Sequence, residues 1–197
     1  MFQVFTKNLL FSTILFISYS LISEEYKAGK HYQILPQTIA TRDAKKIEII
    51  EFFWFGCGHC YSLENQLKSW EEKLPSDIDF WRSPITWNEM AKTHAKLFFA
   101  AEFFKKPEII SNTFVSIHAN RRMMTSDQEL QPFFASFGIT EDQYLSLFNS
   151  FAMQNKIRRA DTFGLKYQIR GVPAFIVNGK YKVSASNDVG TAELLDV

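Results

Sequence analysis

The sequence predicts an α/β fold with an all-helical subdomain inserted into it, and three observations carry that prediction. Residues 47–53 (IEIIEFF) read as a strand that is apolar on both faces. Residues 89–166 hold helical patterns and no convincing strand, and two short apolar runs around Asn178-Gly179 supply a hairpin near the end. About 90 residues separate Ser83 from Pro173, far more than an ordinary connection, so the helices between them form a unit of their own. The chain has 197 residues, 46% hydrophobic and 16% aromatic, with 22% charged, which supports a sizeable core and excludes a disordered tail or a coiled coil. Twenty-two basic against 21 acidic residues leave no excess to neutralise a phosphate backbone, so nucleic acid is not an expected partner.

The first element is a targeting segment. Lys7 is the only charge before Glu24, and Leu9 to Ile22 is mostly apolar with interspersed hydroxyls. A membrane span needs ~20 predominantly apolar residues, so this segment is short for an anchor and reads as a secretory signal peptide, residues 1–23. Cleavage is expected after Ser23 or after Ser20, and loss of Lys7 takes the formal charge from +1 to neutral. Export puts the two cysteines in an oxidising compartment.

Within residues 47–53, Ile47, Ile49 and Phe53 are expected on one face and Ile50 and Phe52 on the other, the pattern of a central strand. Residues 61–73 follow as a helix, with Tyr61, Leu63, Leu67 and Trp70 near helical spacing, and residues 78–82 as a second strand. The insertion opens with a helix over 89–104. Pro107 starts the next, with Ile110, Phe114 and Ile117 as its inner stripe. Leu130, Phe133, Phe134 and Phe137 mark another helix, which Pro132 should kink or delay. Thr140 and Gln143 form a capping box, Ile139 staples to Tyr144, and a last helix runs from Met153 towards Lys166. Residues 174–177 and 181–183 flank the type I′ turn signal Asn178-Gly179. The expected division is 1–23 signal peptide, 24–88 first part of the core, 89–157 helical insertion and 158–197 second part of the core.

Chemistry concentrates at Cys57-Gly58-His59-Cys60, directly after the buried strand and at a helix start. A zinc site would need ligands beyond these two thiols, and His31, His94 and His118 are distant in sequence. Covalent haem attachment needs His after the second cysteine, where Tyr61 stands. A structural disulfide closing so small a loop would constrain the unfolded chain little. The redox reading uses the context. Cysteines at i and i+3 on a first helical turn are close enough to bridge, and the helix N-terminus and His59 both favour a thiolate at Cys57. Cys60, one turn in, is the more shielded and can resolve a mixed disulfide. Pro173 before the strand at 174 is either a trans residue at an edge or a cis residue exposing the Val172 backbone to substrate. Glu51, mid-strand among apolar neighbours, is either a solvated edge position or a buried carboxylate with Arg82 as its candidate partner.

These segments together resemble the DsbA family, periplasmic dithiol oxidases of the thioredoxin superfamily. Residues 51–61 (EFFWFGCGHCY) are similar to its active-site segment, 170–174 (RGVPA) to its cis-proline loop and 177–181 (VNGKY) to its terminal hairpin. The likeness runs from about Tyr26 to Tyr181. It implies a thioredoxin-like fold with the helical insertion, Cys57 as attacking and Cys60 as resolving cysteine, a cis Pro173, and an acid–base pair at Glu51 and Arg82 that aids proton transfer. Glu64 falls where the family often has two adjacent acids; its neighbour here is Asn65. The implied partners are reduced or unfolded exported polypeptides and a DsbB-type membrane oxidase that reoxidises the pair. No cofactor beyond the Cys57–Cys60 disulfide is expected, and the chain should act as a monomer. The dipeptide is Gly-His, as in protein disulfide isomerases, rather than Pro-His, which points to a moderate oxidant. Isomerase or reductase activity is the nearest alternative. A non-catalytic binding or folding-helper protein with a structural CxxC is the alternative of another class.

Overall fold

The computed structural model describes residues 26–197, so the expected signal peptide lies outside the described residues. Among the described residues five strands form one mixed sheet in the order β1-β5-β4-β2-β3. They are β1 (Gln33–Ile34), β2 (Ile47–Phe53), β3 (Ile78–Pro84), β4 (Ala174–Val177) and β5 (Tyr181–Ser184). β2 and β3 are parallel, with α1 (Gly58–Glu71) between them in sequence, and the remaining pairs are antiparallel. Asn178 and Gly179 both have positive φ, 50° and 61°, as the type I′ turn requires. A side chain at Gly179 would also collide with the Ile39 carbonyl, 1.9 Å from the position of a Cβ.

β2 sits between β4 and β3, and its two apolar faces serve three clusters. Ile50 and Phe52 pack with Ala174, Ile176, Tyr167 and Ile169; Ile49 packs beside Leu63 and Leu67 of α1; Phe53 joins the aromatic core of the insertion. The strand's first two residues invert the expected pattern. Ile47 is 40% exposed and Glu48 is buried, because the Glu48 carboxylate accepts the Arg42 N–H (3.0 Å) and the Trp81 indole N–H (3.2 Å).

The insertion contributes α2 (Glu89–Phe103), α3 (Glu108–His118), α4 (Asp127–Ala135), α5 (Glu141–Phe148) and the start of α6 (Phe151–Lys166). Their inward stripes meet around Phe98, Phe114, Phe134, Tyr144 and Phe148. Two details differ from expectation. On α3 the buried positions are Ile109, Thr113, Phe114 and Ser116, while Ile110 and Ile117 are only partly covered. Of the two outcomes expected at Pro132, the late start does not occur: the proline stands inside α4. The helix begins at Asp127 because the Glu129 carboxylate gathers the N–H groups of Met123, Thr125 and Ser126 at 2.9, 3.1 and 3.4 Å, which fixes the start upstream of Pro132. The Thr140–Gln143 capping box forms as the spacing predicts, at 2.8 and 3.3 Å.

α6 is one continuous helix across the boundary expected at 157. Its Met153 and Ala160 belong to the insertion core, and Phe163 and the following Tyr167 pack against the sheet through Trp81 and Phe52. The insertion is therefore anchored to the core by a shared helix. A short 3-10 helix, Thr191–Leu195, lies against α1, with Leu194 buried beside Leu63 and Leu67. Among the described residues no helix is long and apolar enough to cross a membrane.

Candidate active site

The end of β2, the start of α1, the start of β4 and the insertion converge on Cys57. The residue is the N-cap of α1, with extended φ and ψ of −90° and 119°, and its carbonyl accepts the first helical N–H, from Tyr61, at 3.0 Å. The helix thus begins at Gly58, three residues before the apolar stripe that signals it. The N–H groups of His59 and Cys60 in its first turn act on the Cys57 sulfur, the arrangement that stabilises an anion at a helix start.

The two cysteines, present as thiols, are unequal. Cys60 is 1% exposed and Cys57 is half-buried. The Cys57 pKa is lowered to about 6, first by the hydrogen bond from the Cys60 thiol and then, against the cost of burial, by the backbone N–H groups of Cys60 and His59 and the charge of His59. Cys60 is pushed far up by the same shared hydrogen bond, by burial and by the Glu51 charge. His59 therefore contributes less than the sequence suggests, and Cys60 contributes most. The His59 ring is held by the C-terminal segment, its Nδ1 lying 3.2 Å from Thr191 Oγ1.

The Val172–Pro173 peptide bond is cis. The Val172 carbonyl lies 3.3 Å from Cys57 Sγ and accepts the thiol proton when Cys57 is neutral. Val172 and Cys57 are therefore neighbours although 115 residues apart in sequence.

Glu51 is buried on β2, between β4 and the edge strand β3. The parallel register pairs it with Arg82 of β3, whose Nε donates to Glu51 Oε2 at 2.5 Å. The other two guanidinium nitrogens grip Glu64 of α1 at 3.0 and 2.9 Å, and the plane lies over the Phe53 ring. The solvated-edge alternative for Glu51 does not hold: its Oε1 is buried and has no hydrogen-bond partner among the described residues. Burial raises the Glu51 pKa to about 7 despite the Arg82 charge. Burial alone would lower the Arg82 pKa, but the two carboxylates hold it above its ordinary value. A cavity of about 780 Å³ reaches Arg82 and Glu64 from the side of Phe98, Phe99 and Phe163, and its lining includes neither cysteine.

The three histidines considered as remote metal ligands are used otherwise. His94 Nδ1 accepts the Trp54 indole N–H at 3.0 Å and Nε2 meets the Met123 carbonyl at 2.9 Å. His118 Nε2 lies 2.7 Å from the Phe55 carbonyl, and its ring stacks on Tyr61 at 4.7 Å. His31 Nδ1 accepts the Lys27 N–H. Among the described residues no group of three or more His, Cys, Asp or Glu side chains could hold a metal ion. Trp54, His94, His118 and Thr191 were missed as parts of the site. Their partners lie 40 to 132 residues away in sequence, a range at which no local pattern signals contact.

Comparison with known proteins supplies the family. Residues 76–194 match the model of the DSBA-like thioredoxin domain. That match starts after the cysteine motif, but whole-chain relatives span it. The thiol:disulfide interchange protein DsbA of Pseudomonas aeruginosa is 33% identical over 174 residues, covering 88% of this chain and 82% of the relative. This chain belongs to the DsbA family. The DsbA of Azotobacter vinelandii is likewise 33% identical, with 90% of this chain and 84% of the relative covered. The crystal structure of Pseudomonas aeruginosa DsbA superposes with a TM-score of 0.80 at 33% identity, covering 87% of this chain and 90% of the other. The fold is thus the DsbA form of the thioredoxin fold, and the DsbA-family chain described here is a protein dithiol–disulfide oxidoreductase.

Proposed function

We propose that this oxidoreductase works in the periplasm, after removal of a signal peptide, as a monomeric donor of disulfides to reduced exported polypeptides. The observation that carries the reading is the asymmetry of the pair: a partly exposed Cys57 at a helix start, with a depressed pKa, hydrogen-bonded by a buried Cys60 thiol. In the donating direction a substrate thiolate attacks Cys57 Sγ of the Cys57–Cys60 disulfide, and Cys60 leaves as a thiolate that takes up a proton. A second substrate thiolate then attacks the substrate sulfur of the mixed disulfide, and Cys57 leaves. Two substrate thiols are oxidised to one disulfide and the protein is left as the dithiol, so the cysteine pair is the only redox carrier required. A low pKa makes Cys57 the better leaving group, which favours this direction.

Glu51 is the proton donor and acceptor for Cys60 in this scheme, because its carboxyl titrates near neutrality and its charge acts on the Cys60 thiol. Arg82 and Glu64 set that carboxyl's environment, and the cavity beside them gives solvent protons a route. His59 tunes Cys57, while the Val172 backbone beside the cis Pro173 aligns an extended substrate strand with Cys57. A DsbB-type membrane oxidase takes the two electrons from the dithiol. A partly exposed thiol of low pKa does not suit the alternative of a non-catalytic helper with a structural CxxC. The test is complementation. In a Gram-negative cell lacking its own periplasmic dithiol oxidase, the chain should restore disulfides to an exported reporter, and only when the membrane oxidase is present. Failure to restore them, with the chain present in the periplasm in folded form, would overturn the proposal.

A further inference from the structure

Trp54, three residues before Cys57, shapes the turn that delivers the cysteine. Its carbonyl accepts the Cys57 N–H at 3.0 Å. Its indole ring fills the space over Gly56, where a Cβ would lie 2.4 Å from Trp54 Cζ2, so the two residues fit together only because position 56 has no side chain. The indole N–H points to His94 Nδ1 on α2, in the helical insertion.

The partners of His94 dictate its state. An indole N–H only donates, so Nδ1 carries no proton. A carbonyl only accepts, so Nε2 carries one and donates it to Met123. The ring is 2% exposed, and burial holds its pKa below the ordinary histidine value. Met123 belongs to the segment whose N–H groups are gathered by Glu129, so the acceptor is itself fixed. One neutral imidazole thus ties two parts of the insertion to the ring that rests on the residue before Cys57. His118 makes a separate link, to the Phe55 carbonyl and the Tyr61 ring.

We propose that His94 is a positioning residue for the exchanging thiol: by holding the Trp54 indole over Gly56, it fixes Cys57 against the N–H groups of His59 and Cys60. The inference rests on the reading of Cys57 and Cys60 as the exchanging pair. Without the link the indole loses its acceptor in a partly buried site, the turn loosens, and the contacts that favour the Cys57 thiolate weaken. The dithiol form then loses stability relative to the disulfide form.

The test compares the parent with H94F, H94Q, W54F and the double variant H94F/W54F. Two readouts are taken: thiolate absorbance of the dithiol form against pH, and the redox equilibrium with glutathione. H94F and W54F should each raise the Cys57 titration midpoint and shift the equilibrium towards the protein disulfide by at least about threefold. H94Q, which keeps an acceptor for the indole, should shift both by less than H94F. The double variant should shift no further than the larger single change, because both break one link. A merely structural His94 predicts that H94F and W54F lower melting temperature alone, and either variant folded with both readouts within threefold of the parent would overturn the proposal. Should H94F fail to fold, W54F and H94Q decide: an unchanged W54F, or an H94Q shifted more than W54F, overturns it. A parent that does not equilibrate with glutathione at all would instead overturn the assignment of the exchanging pair.

Discussion

Cys60→Ser should accumulate mixed disulfides with substrate through Cys57, and Cys57→Ser should accumulate none and lose disulfide transfer altogether. The expectation follows from ionisation and access. With a pKa of about 6, roughly nine-tenths of Cys57 is thiolate at pH 7, and its sulfur is partly open to solvent. Cys60 is buried and stays a thiol in the same range, because its pKa is driven upward. A serine at 60 cannot displace a substrate from Cys57, so the complex persists. A serine at 57 leaves only a shielded, protonated sulfur. Mass spectrometry of complexes captured from an exported-protein extract reads the difference, and equal trapping by the two variants would contradict the assignment.

The second large effect is a divergence in stability between the dithiol and disulfide forms as pH rises. Cys57 titrates near 6 in the folded dithiol form against about 8.5 for an unperturbed cysteine. Its depressed pKa adds stability that is fully present above the unfolded value and is lost as pH falls towards 6. The disulfide form has no such group. Allowing for solvent screening of a partly exposed residue, the dithiol form should gain about 1 to 2 kcal/mol over the disulfide form between pH 6 and pH 8. Glu51 works the other way. Its folded pKa of about 7 lies above the ordinary 4.5, so stability falls as pH rises through that interval, and it does so in both forms. The comparison of the two forms therefore isolates the cysteine. Denaturant unfolding of each form across that pH range measures it, and a gap that stays flat or narrows with rising pH would contradict the account. His59→Leu should reduce the gap only in part, since the Cys60 thiol and the helix N–H groups contribute ahead of His59.

The sequence was most legible where physics is local. A strand apolar on both faces, a hairpin turn, capping residues and aromatic stripes each carry their own signal, and the sheet, hairpin and helical block follow from them. The cysteines were legible for the same reason, since strand, CxxC and helix adjoin in sequence. Expectation failed where a distant or side-chain partner decides the outcome. Glu48 is buried because Arg42 and Trp81 satisfy its carboxylate, and α4 starts early because Glu129 supplies the cap that the Pro132 argument ignored. The choice between a buried and a solvated Glu51 could not be made until register placed Arg82 beside it. Likewise no spacing rule joins His94 to Trp54 or Thr191 to His59, because the insertion and the C-terminal segment reach the site only after folding.

The central claim is that Cys57 and Cys60 hand one disulfide to a reduced polypeptide, and a single-turnover transfer measures it most directly. Oxidised protein is mixed with a slight excess of a reduced two-cysteine peptide, quenched with acid at intervals, and both partners are weighed. The account predicts that the peptide loses two hydrogens as the protein gains two, one for one, through a transient complex linked at Cys57. A protein that stays oxidised while the peptide stays reduced, or a complex linked at Cys60, would contradict it.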